Sequence, residues 1–95
     1  MANTRHWPDG LVAYKRTPEF TETTVPAGLL RRHSTKAGVW GKLHVLSGRL
    51  LFRDLAMQTE HELGPGIHAL IHPQSDHEVA PLGEVRFFVE FHALD

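Results

Sequence analysis

Glu84-Val85-Arg86-Phe87-Phe88-Val89-Glu90-Phe91-His92 is the stretch whose pattern decides the fold. Side chains alternate across an extended chain, so Val85, Phe87, Val89 and Phe91 share one face while Arg86, Phe88, Glu90 and His92 share the other. The same alternation sets Leu43 and Val45 against Trp40, Lys42, His44 and Leu46, and Ile67, Ala69 and Ile71 against His68, Leu70 and His72. Turn signals such as Pro8-Asp9-Gly10, Pro26-Ala27-Gly28, Gly64-Pro65-Gly66 and Pro81-Leu82-Gly83 separate these runs. No stretch carries a sustained 3.6-residue period, so little or no helix is expected. The reading gives strands at 11–17, 20–25, 28–33, 39–47, 49–54, 57–63, 67–72, 76–80 and 84–92, with Ser47-Gly48 as a tight hairpin. Short strands at this spacing predict an all-β sandwich or barrel.

The chain has 95 residues, which fits one domain, 1–95, with its core at about 11–92. Hydrophobic residues make up 41 % and charged residues 22 %, a globular balance. A chain this short buries only about 60–65 % of its unfolded surface, which favours a homodimer formed through the apolar face of Phe87, Val89 and Phe91. The net charge of −1, with Lys and Arg scattered, argues against a nucleic-acid partner. No apolar run approaches the length of a membrane helix, and the N-terminus lacks a secretory h-region. The absence of cysteine removes disulfides, thiolate metal sites and cysteine nucleophiles. A cytoplasmic protein is the expectation.

Eight histidines in 95 residues, dispersed from His6 to His92, set this chain apart. Without cysteine, a metal needs imidazole and carboxylate ligands converging from different strands. His33 precedes the Ser34-Thr35-Lys36-Ala37-Gly38 loop, and His77 follows the Pro73-Gln74-Ser75 turn. Glu90 interrupts an aromatic and aliphatic run, where a carboxylate is costly to bury unless paired or liganded; His92 shares its face. Other readings stay open at this point: strand-end histidines are commonly surface residues, and Glu90 pairs equally well with Arg86 on a solvated face. His6, His61 and His68 read as surface residues, His44 and His72 as intermediate. Lys36, Trp40, Lys42 and Arg86 are positioned to attract an anion.

The run Gly28-Leu29-Leu30-Arg31-Arg32-His33-Ser34-Thr35-Lys36-Ala37-Gly38-Val39-Trp40-Gly41-Lys42-Leu43, followed by Leu46-Ser47-Gly48-Arg49-Leu50, resembles the first motif of a small cupin family. That family comprises the N-terminal domain of tellurite-resistance TehB proteins and the stand-alone YeaR-like proteins. The second half, Ile71-His72-Pro73-Gln74-Ser75-Asp76-His77-Glu78-Val79 and then Val85 to Phe91, resembles it as well. The resemblance implies a small cupin-like β-barrel, a double-stranded β-helix or jelly-roll sandwich. It places His33 and His77 where cupin motifs supply metal ligands. Thr35 stands where a second histidine of the first motif is usual, and no motif glutamate lies near Gly41. Glu90, with His92, is the candidate to fill that deficit.

The expected function is a metal-binding cupin-like protein related to tellurite-resistance and stress-response domains. His33, His77, Glu90 and His92 would hold a divalent metal (zinc, iron or nickel), and Lys42 and Arg86 a small anionic ligand. No general base or nucleophile can be named, so whether the protein is an enzyme stays open. The methyltransferase portion of TehB is not expected in this chain, since no glycine-rich strand–turn–helix fingerprint is present. Two alternatives stand: a non-catalytic small-molecule-binding or sensing module, and a dimeric structural domain without metal.

Overall fold

The computed structural model describes residues 7–94. Six strands follow in chain order: β1 Leu11–Arg16, β2 Phe20–Thr21, β3 Trp40–Asp54, β4 Thr59–Leu63, β5 Ala69–Ile71 and β6 His77–Leu94. A 3-10 turn, Ala27–Leu30, lies between β2 and β3. The sheet is organised on one long antiparallel ribbon, in which β3 and β6 pair from Trp40↔His92 to Asp54↔His77. β1 and β2 lie along the C-terminal half of β6, while β5 and β4 lie in succession along the outer edge of β3.

Three sequence expectations change here. The hairpin at Ser47-Gly48 is instead an irregularity within one continuous strand: Val45 pairs with Phe87, Ser47 with Arg86, Gly48 with Val85 and Leu50 with Pro81. Gly48 takes φ +77°, and a Cβ there would lie 2.0 Å from the Glu84 carbonyl oxygen, so the ribbon closes only around a glycine. The runs 76–80 and 84–92 likewise merge into β6. The expected strand at 28–33 is a 3-10 turn, because Pro26 sets φ −59° and its carbonyl accepts the Leu29 N–H at 3.0 Å.

The sheet does not close into a barrel, which corrects the cupin-like double-stranded β-helix expectation. Its strand order is β1-β6-β3-β4 with two unpaired ends among the described residues. The physical reason is register. β1 pairs with Glu90–Leu94 of β6, whereas β4 pairs with the segment Leu50–Asp54 of β3 that faces the other end of β6. The two edges therefore sit at opposite ends of the ribbon and do not meet.

The irregularity in β3 also switches which residues face inward. Leu43 and Val45 are buried before it and Leu50 and Phe52 after it, so odd positions give way to even ones. A register slip of one residue turns a strand over. β6 keeps odd positions inward throughout, with His77, Val79, Val85, Phe87 and Val89 buried. Leu63 of β4 and Ala69 and Ile71 of β5 complete the cluster. Each large aliphatic or aromatic side chain buried there contributes about 1.5–3 kcal/mol relative to exposure. Phe87 and Val89 thus belong to the chain's own core, with Phe91 partly buried against it. No helix among the described residues is long and apolar enough to cross a membrane.

Candidate functional site

The inward face of β6, the 3-10 turn and the segment 33–39 enclose a cavity of about 570 Å³. Phe20, Leu29, Val39, Val79, Phe87 and Phe91 give it apolar and aromatic walls. Lys15 and Lys36, both exposed, stand at its rim, and His33 and His77 form part of its lining. Among the described residues, none that lines it is Asp or Glu.

The two histidines are set by their backbones. His33 N–H donates to the His77 carbonyl at 3.0 Å and His77 N–H to the His33 carbonyl at 2.9 Å, an isolated antiparallel bridge. The rings meet edge to face with centroids 4.1 Å apart. His33 Nδ1–H donates to the Arg31 carbonyl and His77 Nδ1–H to the Ser75 carbonyl, each at 2.8 Å. A carbonyl only accepts, so the tautomer is fixed with the proton on Nδ1 in each ring. His77 also stacks on Phe52 at 5.6 Å and is only 4 % exposed. Burial, then the neighbouring His33, pushes the His77 imidazole down to about 4, so it is neutral near pH 7 with Nε2 a bare acceptor.

Thr35 fastens the loop above this pair. Its hydroxyl donates to the Val39 carbonyl at 2.7 Å, and its own carbonyl accepts the Gln74 N–H at 3.0 Å. The position that would hold a second motif histidine is thus a loop fastener.

Glu90 and His92 lie on the opposite face of the sheet. There Glu90 Oε1 accepts from His92 Nε2 at 2.9 Å and from His44 Nε2 at 3.4 Å. Burial works to raise the Glu90 carboxyl, but the hydrogen bonds from His92 and His44 outweigh it and hold it below its ordinary value. Trp7 packs on Trp40 and His92, and His44 packs on Phe88 and His68. Lys42 belongs to this outer face, 5.7 Å from the Trp7 ring. Arg86 pairs with Glu19. Neither Lys42 nor Arg86 lines the cavity; of the cations singled out in the sequence, Lys36 does.

The structure therefore brings His33 to His77 and Glu90 to His92, but sets the two pairs on opposite faces. Among the described residues, no three of His, Cys, Asp and Glu are grouped to hold a metal ion. The expected divalent-metal centre, with zinc, iron or nickel on His33, His77, Glu90 and His92, is corrected accordingly. Side-chain parity explains it: His77 is inward on β6 with Val79, Phe87 and Val89, and even-numbered Glu90 and His92 project the other way. Of the other cavity residues, Lys15 and Phe20 come from strands outside any motif, and Leu29, though inside the Gly28–Leu43 run, carries no polar group that marks it as lining a cavity.

Comparison with known proteins places the chain. The TehB-like domain family model matches residues 15–89. The probable S-adenosyl-L-methionine-dependent methyltransferase TehB of Haemophilus influenzae (strain ATCC 51907 / DSM 11121 / KW20 / Rd) is 37 % identical over 79 residues, covering 78 % of this chain and 28 % of that protein. Its counterpart in strain 10810 is 35 % identical over the same coverage. The crystal structure of TehB from H. influenzae superposes with a TM-score of 0.83 at 33 % identity, over 90 % of this chain and 32 % of that one. A crystal structure of an Escherichia coli (strain K12) protein gives a TM-score of 0.85 over 97 % of this chain and 99 % of that one; at 22 % identity it speaks to the fold alone. The chain spans under a third of the length of its TehB relatives. The cofactor named for those relatives is S-adenosyl-L-methionine, not a metal. These matches and the open sheet replace the expected cupin and YeaR-like assignment, and with it the metal-binding function built upon it. The chain belongs to the TehB-like domain family.

Proposed function

We propose that this chain is a ligand-holding domain serving S-adenosylmethionine-dependent methyl transfer, the activity named for its TehB relatives. The observation that carries the reading is the cavity: about 570 Å³, apolar-walled, with a few convergent polar groups at the imidazole pair and the rim. Pockets of this size and lining suit small organic molecules.

The residues present do not fit the methyl donor itself. S-adenosylmethionine carries a sulfonium cation and a ribose, and ribose hydroxyls are commonly met by an acidic side chain. Among the described residues the cavity lining holds no carboxylate, and it is flanked by Lys15 and Lys36. Among the described residues no glycine-rich strand–turn–helix is present to cradle a nucleotide-type group. No step through the donor is assigned to these residues; on this reading they hold the second participant in the transfer. Cysteine is absent, so no oxidising compartment is called for, and we place the protein in the cytoplasm.

Equilibrium dialysis tests the division of labour. The chain is expected to bind small aromatic probes saturably and to show no saturable binding of radiolabelled S-adenosylmethionine. Saturable, stoichiometric uptake of the methyl donor by the chain would overturn the reading.

A further inference from the structure

The cavity has a polarity that specifies its ligand, and this inference rests on the ligand-holding reading above. Its deep end is His77, 4 % exposed, with His33 against it. Both Nδ1 atoms are committed to backbone carbonyls at 2.8 Å, which leaves Nε2 as the ring nitrogen open to a ligand. A neutral ring with its proton on Nδ1 offers at Nε2 a lone pair and nothing else. Such an atom in apolar surroundings calls for a donor, and leaving it unmet is unfavourable.

The walls and the rim add two further constraints. Phe20, Phe87 and Phe91 favour a flat aromatic body, since rings pack edge to face or offset against one another. Lys15 and Lys36 favour a negative charge at the open end, where water screens it and the cost of burying it is avoided. An anion placed at the deep end instead would face a bare lone pair.

We infer that the cavity takes a small aromatic hydroxy acid, its hydroxyl donating to the His77 imidazole beside His33 and its carboxylate at the Lys15 and Lys36 rim. His77 is the acceptor that selects the hydroxyl; His33 is a positioning residue that holds the His77 ring. The lysines contribute attraction common to any aromatic acid.

Three probes of one size class test this: 4-hydroxybenzoate, benzoate and 4-methoxybenzoate, titrated into the full chain at pH 7. 4-Hydroxybenzoate is expected to bind about tenfold more tightly than benzoate, as one well-made hydrogen bond implies, and 4-methoxybenzoate no better than benzoate. In His77→Phe that preference is expected to vanish, while Lys15→Met/Lys36→Met weakens all three probes in proportion and leaves the ratio intact. Thermal unfolding of each variant confirms that it is folded. Should His77→Phe fail to fold, the imidazole ¹⁵N signals of wild-type protein decide. His77 is expected to stay neutral on binding, with Nε2 shifting as a hydrogen-bond acceptor. Protonation of that ring on binding would put the anion at the deep end and overturn the proposal. Equal affinity for 4-hydroxybenzoate and benzoate would overturn it while leaving the ligand-holding reading intact; binding of no probe would overturn both.

Discussion

His33 and His77 are tied to each other twice, by reciprocal backbone hydrogen bonds of 3.0 and 2.9 Å and by rings 4.1 Å apart. The pairing fastens the loop after the 3-10 turn to the first residue of β6. Both residues line the cavity, so the pairing fixes part of its wall. Thr35 extends the seam through the Gln74 N–H, so the segment 33–39 is held at both a histidine and a threonine. Backbone exchange of this kind depends little on side-chain identity, and what the two imidazoles add is chemistry in an otherwise apolar space.

Acid should destabilise the fold through His77. An imidazole in the unfolded chain takes up its proton near pH 6.5, whereas burial and then His33 hold the folded one down to about 4. Between those values only the unfolded state gains the proton. Stability therefore falls as pH drops from about 6.5 and levels off below about 4, a total of about 3 kcal/mol, with about 2 kcal/mol gone by pH 5. His68, held down by burial and then by His44 and Lys42, adds a slope of the same sign. The diagnostic quantity is thus a difference: urea unfolding of wild type and His77→Phe at pH 7 and pH 5. The variant is expected to lose most of the pH dependence, and an unchanged slope would assign acid sensitivity elsewhere.

Gly48→Ala should be far more damaging than Gly66→Ala. Both glycines have positive φ, +77° and +85°, which costs an alanine about 1–2 kcal/mol. At Gly66 nothing lies within 4 Å of the added methyl. At Gly48 the methyl meets the Glu84 carbonyl oxygen at 2.0 Å and Val85 Cα at 2.9 Å, both backbone atoms of the paired strand. Relieving that overlap means parting β3 from β6, adding about 1–3 kcal/mol or more. Denaturant midpoints of the two variants separate the conformational penalty from the steric one. Equal midpoints would show that β3 does not bulge at this residue.

Strand alternation was readable in β6 because Val85, Phe87 and Val89 face one core without interruption. In β3 the same reading holds only as far as Val45, because Gly48 reads in the sequence as a chain reversal. A glycine with positive φ serves a hairpin and a bulge alike, and only the length of β6 on the partner side tells them apart. The site was legible as residue types and not as geometry. His77 and Glu90 are an odd number of positions apart on one strand, and that parity already separates them. Whether the intervening Pro81-Leu82-Gly83 turned the chain over was the missing fact. Closure into a barrel was likewise beyond alternation, since it depends on where the edge strands end along the ribbon and not on which faces are apolar.

Stability should not depend on a bound divalent metal. His33 and His77 face the cavity while Glu90 and His92 face the other side, so the four candidates cannot converge on one ion. A metal bound by the folded state alone raises stability by mass action, and its removal is read directly as a lower unfolding midpoint. Dialysis against EDTA, and then equimolar zinc, should each leave the thermal midpoint of wild-type protein unchanged. A fall of several degrees on chelation, restored by zinc and absent in His77→Phe, would reinstate a metal centre.

Glu90→Gln isolates the outer face. The glutamine keeps the shape of the side chain but removes the charge that His92 and His44 meet at 2.9 and 3.4 Å. With the Glu90 side chain 30 % exposed, solvent discounts that interaction, and a loss of about 1 kcal/mol at pH 7 is expected. Its pH course follows from the lowered carboxyl. Glu90 contributes in full above the unfolded value of about 4.5 and loses that contribution as pH falls through the lower folded value. Wild type and Glu90→Gln should therefore differ in urea midpoint at pH 7 and converge in acid as the folded carboxyl takes up its proton. Because β6 presents Glu90 on one face and the cavity wall on the other, titration with 4-hydroxybenzoate should give the same affinity in both proteins. A weakened titration in the variant would mean that the two faces are coupled through β6, and the separation of cavity from outer cluster would have to be given up.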